Sequence, residues 1–194
     1  GYEFEQNGSW MSKGTPNTLR RQEYWSALSG AAGQFYGNHY SWQFADGWKE
    51  HLDTVGATEL TYFVNLPEPL PWYRLVPDRN HRVVTAGYGT YTTEGNATSS
   101  DYVTTASTSD GRLAISYLPV GGTVTLDTTR LRRIVLARWY DPTNGRFRAA
   151  ARSPLRPARG IRLSAPLRNA SGDRDWVLVL TARWDVIAWN RLAT

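Results

Sequence analysis

The segment YWSALSGAAGQFYGNHYSWQF, residues 24–44, passes from an apolar, small-residue stretch into a loop dense in aromatic rings, amide and imidazole. Working back from it, Thr15-Pro16 reads as a helix start: a hydroxyl cap, then a proline at the first helical position, where its missing N–H costs nothing. Tyr24, Trp25, Leu28, Ala31 and Ala32 recur near helical spacing and give one close-packed apolar face. Gly30 and Gly33 end the helix, residues 34–36 read as a short buried strand, and Gly37 opens a loop carrying Asn38, His39, Tyr40, Trp42 and Gln43. A helix feeding a buried strand that ends in a polar, aromatic loop is the repeating unit of an α/β barrel, whose active sites lie at the C-terminal ends of the strands.

Working forward, Trp48, Leu52 and Val55, then Leu60, Phe63, Val64 and Leu66, suggest two amphipathic helical segments ending at Pro67, Pro69 and Pro71. Beyond residues 77–82 the period changes to two. Strand-like runs cover residues 82–86, 113–118, 123–126, 134–140, 160–164 and 176–181. Asp141-Pro-Thr-Asn-Gly145 is a strong hairpin turn, because Asn144-Gly145 accepts positive φ. Short strands punctuated by turn residues predict an antiparallel sandwich. The Thr-, Ser- and Gly-rich stretch 90–109 reads as a long exposed hairpin or loop.

Of the 194 residues, 41% are hydrophobic and 13% aromatic, and no apolar run is long enough to cross a bilayer. Cysteine is absent, which excludes disulfides and thiolate metal sites and fits either a cytoplasm or an exported bacterial protein without bridges. Sequons begin at Asn7, Asn96 and Asn169 but matter only on a glycosylating route. Charge divides unevenly: residues 1–110 carry 7 basic and 12 acidic side chains, net −5, and residues 111–194 carry 15 and 5, net +10. Most of that positive charge is arginine, including Arg130, Arg132, Arg133, Arg146, Arg148, Arg152, Arg156, Arg159 and Arg162. Such a patch attracts an anionic polymer by long-range steering; a solvated sheet face rich in arginine is the plain alternative.

Tyr2-Glu3, Arg20-Arg21 with Tyr24-Trp25, Leu28-Ser29-Gly30-Ala31-Ala32-Gly33, Tyr36-Gly37 and Trp42 together resemble the closing part of the apiosidase-like glycoside hydrolase barrel. Pro71-Trp72, Leu75-Val76-Pro77-Asp78, Tyr117-Leu118-Pro119, Ala137-Arg138-Trp139-Tyr140-Asp141-Pro142 with Gly145, and Asp175-Trp176-Val177-Leu178-Val179-Leu180 are similar to the "putative collagen-binding domain of a collagenase". The resemblance spans residues 1–182. It implies an α/β plus all-β fold, in which residues 1–80 are the last βα units of a TIM-type (β/α)8 barrel, residues 81–182 an antiparallel β-sandwich and residues 183–194 a tail. A complete barrel needs about 250 residues. The expectation is therefore a C-terminal piece of a longer polypeptide, secreted or at a bacterial surface, whose partner is the upstream barrel segment of the same protein.

Glycosidases place two carboxyl groups across the scissile bond. Glu3 and Glu5 are the local candidates, and the resemblance implies that Glu3 is the nucleophile at the end of strand seven, the acid/base partner lying upstream. His39 and Trp42 after strand eight, with Tyr36, Asn38 and Trp10, are the candidate sugar contacts: an indole stacks on a sugar ring and imidazole bonds its hydroxyls. The spacing of His39, His51 and His81 does not suit zinc, the glycines at 30, 33 and 37 form no phosphate loop, and no cofactor or metal is expected. No elbow motif supports a serine triad. The reading is thus part of a glycoside hydrolase acting on a polysaccharide or oligosaccharide, a retaining one as the resemblance implies. The alternatives are a non-catalytic module binding a matrix protein or anionic glycan and, more weakly, nucleic-acid binding by the arginine-rich half, which carries no basic-aromatic motif.

Overall fold

The computed structural model describes residues 2–3, 14–41, 43–66, 70–92, 97–132 and 134–182. Strand β1 (Tyr2–Glu3) pairs in parallel with β2 (Gly37–Asn38), Tyr2 opposite Gly37 and Glu3 opposite Asn38. Between them runs helix α1 (Pro16–Leu28), started as the sequence predicts: the Thr15 hydroxyl accepts from the Thr18 N–H, and the Thr18 hydroxyl accepts from the Thr15 N–H. A single-turn 3-10 helix at Lys49–His51 precedes helix α2 (Val55–Asn65), capped by Thr54.

Two local readings change. The strand predicted at 34–36 forms later, at Gly37–Asn38, and Phe35 is 91% exposed. Helix α1 stops at Leu28, so Ala31 and Ala32 lie beyond it on the surface. Gly30 turns the chain at φ +99°, which only glycine adopts without strain.

A second 3-10 turn, Trp72–Arg74, leads into the β-rich part. Its strands are β3 (Leu75–Pro77), β4 (Val84–Ala86), β5 (Thr104–Thr108), β6 (Leu113–Leu118), β7 (Thr123–Asp127), β8 (Val135–Tyr140), β9 (Phe147–Ala149), β10 (Arg159–Ser164) and β11 (Trp176–Ala182). They form two antiparallel sheets, one ordered β3-β5-β6-β11-β8-β9 and the other β10-β7-β4. The stretch 90–109 is not loop throughout: it contains β5, whose Thr105 hydroxyl donates to Ser116 Oγ at 2.9 Å across the ladder. Threonine is a strand former, and its hydroxyl is satisfied here by a neighbouring strand.

Strands β6 and β11 are buried at every position. Alternation explains it: Ala114, Leu118, Trp176, Leu178 and Leu180 face the three-stranded sheet, while Leu113, Ile115, Tyr117, Val177 and Val179 face α1 and α2. The six-stranded sheet is therefore the middle of three layers. Trp139 and Trp176 fill the core between the sheets, and Tyr140 faces the helices, its hydroxyl donating to the Tyr62 carbonyl at 2.8 Å.

Candidate active site

Glu3 ends β1, and the parallel pairing with β2 places its backbone beside the loop that opens at His39, whose N–H donates to the Glu3 carbonyl at 3.1 Å. The Glu3 carboxylate is fully buried. Oε2 accepts from the Tyr36 hydroxyl at 2.7 Å and from the Thr54 hydroxyl, and Oε1 accepts from the Gly56 N–H at 3.1 Å. The first turn of α2 supplies two of these donors, as expected of a helix N-terminus facing an anion. Gly56 is required by contact: a Cβ there would stand 2.3 Å from Glu3 Cδ. Burial and the hydrogen bond to Glu3 push the Tyr36 phenol up, against the opposing effect of Thr54 and Asn38.

Asn38 is buried and committed to the loop. Its amide donates to the His51 carbonyl at 2.8 Å, and its oxygen accepts from the Tyr40 and Ser41 N–H groups at 3.0 and 2.9 Å. The Tyr40 ring stacks on His51 at 3.7 Å and meets His39 edge-on at 5.4 Å. His39 is exposed at the mouth of this loop. The structure thus brings together Glu3, Tyr36, Asn38 and His39; Glu5, Trp10 and Trp42 lie outside the described residues.

Behind Glu3, a second polar cluster joins both helices to the sandwich. Arg20 is buried on α1 and reaches Asp175 with Nε and Nη2, both at 2.9 Å, Asp173 at 2.7 Å and Glu59 on α2 at 2.5 Å. Asp175 also accepts from Asn17, Asn169 and Tyr117. Burial alone would lower the Arg20 pKa, but the hydrogen bond and charge of Asp175, with Glu59, raise it. Burial pushes the Glu59 carboxyl up, against the charge of Arg20. The next residue of α1, Arg21, donates to the carbonyls of Ala97, Thr98, Ser100 and Pro119, and one turn further on Trp25 Nε1 donates to the Tyr102 carbonyl at 3.0 Å. Glu23, 2% exposed, is pushed up to about 8 by burial, and its Oε2 has no hydrogen-bond partner among the described residues.

The sequence alone does not say what Arg21 pairs with; in the structure it bonds backbone carbonyls and not a carboxylate. Nor does the sequence warn of Arg20, Glu59 and Asp175: the partners are up to 155 residues apart, and only the fold makes them neighbours. Thr54 was visible as a hydroxyl before α2, the kind that caps helices, but its second bond to Glu3 depends on β1 arriving there. Among the described residues no group of three His, Asp or Glu side chains could hold a metal ion, and no helix is long and apolar enough to cross a membrane.

Residues 1–74 match the family model described as "Apiosidase-like, catalytic domain", and residues 90–181 match "Putative collagen-binding domain of a collagenase". The two resemblances read from the sequence are borne out, in the same order. No curated protein matches the sequence. Among solved structures, a glycoside hydrolase family 5 protein from Bacteroides vulgatus is similar with a TM-score of 0.77 at 20% identity, over 94% of this chain and 40% of its own. A second, described as a glycoside hydrolase, gives 0.76 at 20% identity, over 94% of this chain and 41% of its own. At that identity the likeness is one of fold, and the chain spans about 40% of the length of these structures. The chain therefore contains a glycoside hydrolase-related portion followed by a β-rich one.

Proposed function

We propose that the chain is the C-terminal portion of a retaining glycoside hydrolase. In this reading β1, α1, β2 and α2 are the last βα units of a TIM-type barrel, Glu3 is the nucleophile, and residues 81–182, joined at the sheet edge by β3, are an accessory sandwich that braces them. The observation that carries it is Glu3 at the C-terminal end of β1, parallel to β2, with Tyr36, Thr54 and Gly56 converging on its carboxylate.

The reaction follows from two carboxyl groups. A Glu3 oxygen attacks the anomeric carbon while a second carboxylic acid, upstream of this chain, gives its proton to the glycosidic oxygen. The C–O bond breaks and a glycosyl ester forms on Glu3; water, deprotonated by the second group, then releases the sugar with net retention. Gly56 and Tyr36 orient the carboxylate, and attack requires Oε2 to leave Thr54 as the sugar arrives. His39, with Trp10 and Trp42, contacts the sugar, and Asn38 shapes the loop that presents His39. The substrate is a polysaccharide or oligosaccharide, met outside a bacterial cell or at its surface, and no cofactor takes part.

The burial of Glu3 favours a second reading, in which its carboxylate only clamps α2 to β1. Glu3→Gln in the full-length protein separates the two. Loss of glycosidase turnover by about a thousandfold or more, with an unchanged melting temperature, is expected for a nucleophile. Retained turnover, or lost stability accounting for all lost activity, overturns it in favour of the clamp.

A further inference from the structure

We infer that the edge of the sandwich carries a separate binding groove for an anionic saccharide, a uronate-bearing oligosaccharide chain. The groove, of about 590 Å³, lies between the turn after β3, the end of β5 and the turn after β7. A volume of this size suits a few sugar rings.

Three arginines line it, Arg79 and Arg82 from the first turn and Arg130 from the last; all are exposed, and none forms an ion pair among the described residues. Arg79 and Arg82 belong to the acidic half of the sequence, so charge counting by halves does not reveal the cluster. Asp78 also lines the groove, but its carboxylate is occupied, accepting from the Arg82 and Val83 N–H groups at 2.8 and 2.7 Å. Asp127 lies near Arg130 but is held by Arg159 at 3.3 Å and by Thr129. The groove is therefore net positive.

Both turns are preorganised, which lowers the entropy lost on binding. The first is pinned by Asp78 and by His81, which sits at φ +50° with its ring stacked on Tyr88 at 3.7 Å. Such a conformation is uncommon for a residue with a Cβ and persists where surrounding contacts determine it. The second is pinned by the Leu131 N–H on the Thr128 carbonyl and the Arg132 N–H on the Gly111 carbonyl.

The lining also names the ligand. Guanidinium forks take carboxylates two bonds at a time. The Ser107 and Ser109 hydroxyls, without partners among the described residues, suit sugar hydroxyls, and Val76, 57% exposed, offers an apolar wall to a ring's C–H face. None of the described lining residues is aromatic, which disfavours single-stranded nucleic acid, whose bases stack on such rings. The choice of a saccharide among polyanions rests on the glycoside hydrolase reading above; the groove itself does not use Glu3.

The test is titration calorimetry of the protein with oligogalacturonate, a neutral oligoglucan of equal length, inorganic phosphate and a single-stranded oligonucleotide. Oligogalacturonate is expected to bind best, more weakly by about tenfold at high salt. Replacing Arg79, Arg82 and Arg130 together by alanine should weaken it about a hundredfold, whereas Arg162→Ala, on exposed β10, should leave it unchanged. Equal affinity for the neutral glucan, an unaffected triple variant, or tighter binding of phosphate or the oligonucleotide would each overturn the assignment. Failure of Glu3→Gln to abolish turnover would refute the catalytic reading alone, since this titration measures binding without reaction.

Discussion

The two layers covering the six-stranded sheet are built from different chemistry. On one side, valine and leucine of β4, β7 and β10 meet tryptophan and leucine of β8 and β11 in an apolar core, with Val84, Val124, Leu126, Trp139, Trp176 and Leu178 almost without exposure. On the other side, α1 buries Thr18, Arg20, Arg21 and Glu23 beside Leu19, Tyr24 and Leu28. The first core is non-directional and tolerates a small shift. The second is held by directed bonds to single carboxylates and carbonyls, so it fixes α1 and α2 in one register on the sheet. A site that must hold a carboxylate to a fraction of an ångström belongs with the second kind of layer. α2 connects them: its first turn bonds Glu3, and one turn later Glu59 joins Arg20 and Asp175.

Asp175→Ala tests this contrast most strongly. Removing it leaves Arg20 buried without its principal partner, for an expected loss of about 3–5 kcal/mol in urea unfolding, while Asp175→Asn, which keeps some bonds, should lose less. A loss below that of an ordinary surface change would mean that the helical layer packs as the apolar one does.

Glu23 gives the contrast a pH dependence. Its pKa rises from 4.5 unfolded to about 8 folded, so between those values the folded state binds the extra proton. Its contribution to stability is therefore fully present below about pH 4.5 and is lost as pH rises to about 8, by on the order of 2–4 kcal/mol. Among the charged groups acting on it, Arg20 opposes the rise, while Glu59 and Glu3 add to it. Glu23→Gln should flatten the unfolding free energy over this window and stabilise the protein at pH 8; an unchanged slope would place the titration elsewhere.

Gly56→Ala sets helix propensity against the close approach of Glu3. Alanine inside a helix normally adds about 1 kcal/mol, but here the new methyl displaces the carboxylate, and a net loss of about 1–2 kcal/mol is expected. Any gain in melting temperature would show that Glu3 moves aside freely. Smallest of all, Thr15→Ala removes one half of the α1 capping box and should cost about 1 kcal/mol by chemical denaturation.

Much of this organisation was legible in the residues. Thr15-Pro16 marked the start of α1, since capping is a local matter. The runs at 113–118 and 176–181 coincide with the buried central strands, because their continuous apolarity reports burial on both faces. β5 was hidden by its three threonines and one serine, which read as loop when the neighbouring Ser116 is unknown. The two-residue β2 fell one step away from the expected strand because so short a run carries no period. At the candidate site, Glu3, Tyr36, Asn38 and His39 were all named from the sequence, but Thr54 and Gly56 were not assigned to it.

The sequence by itself determined the order of the parts, a helical unit followed by an antiparallel sandwich, because periodicity, caps and turn residues act between neighbours in the chain. Only the tertiary structure decided which polar groups share a partner. Arg20 on Asp175, Arg21 on the 97–100 carbonyls, and Arg79 beside Arg130 are placed by strand order and layer packing. No local rule encodes them, since a guanidinium can satisfy itself in water unless the fold brings a carboxylate and takes the water away.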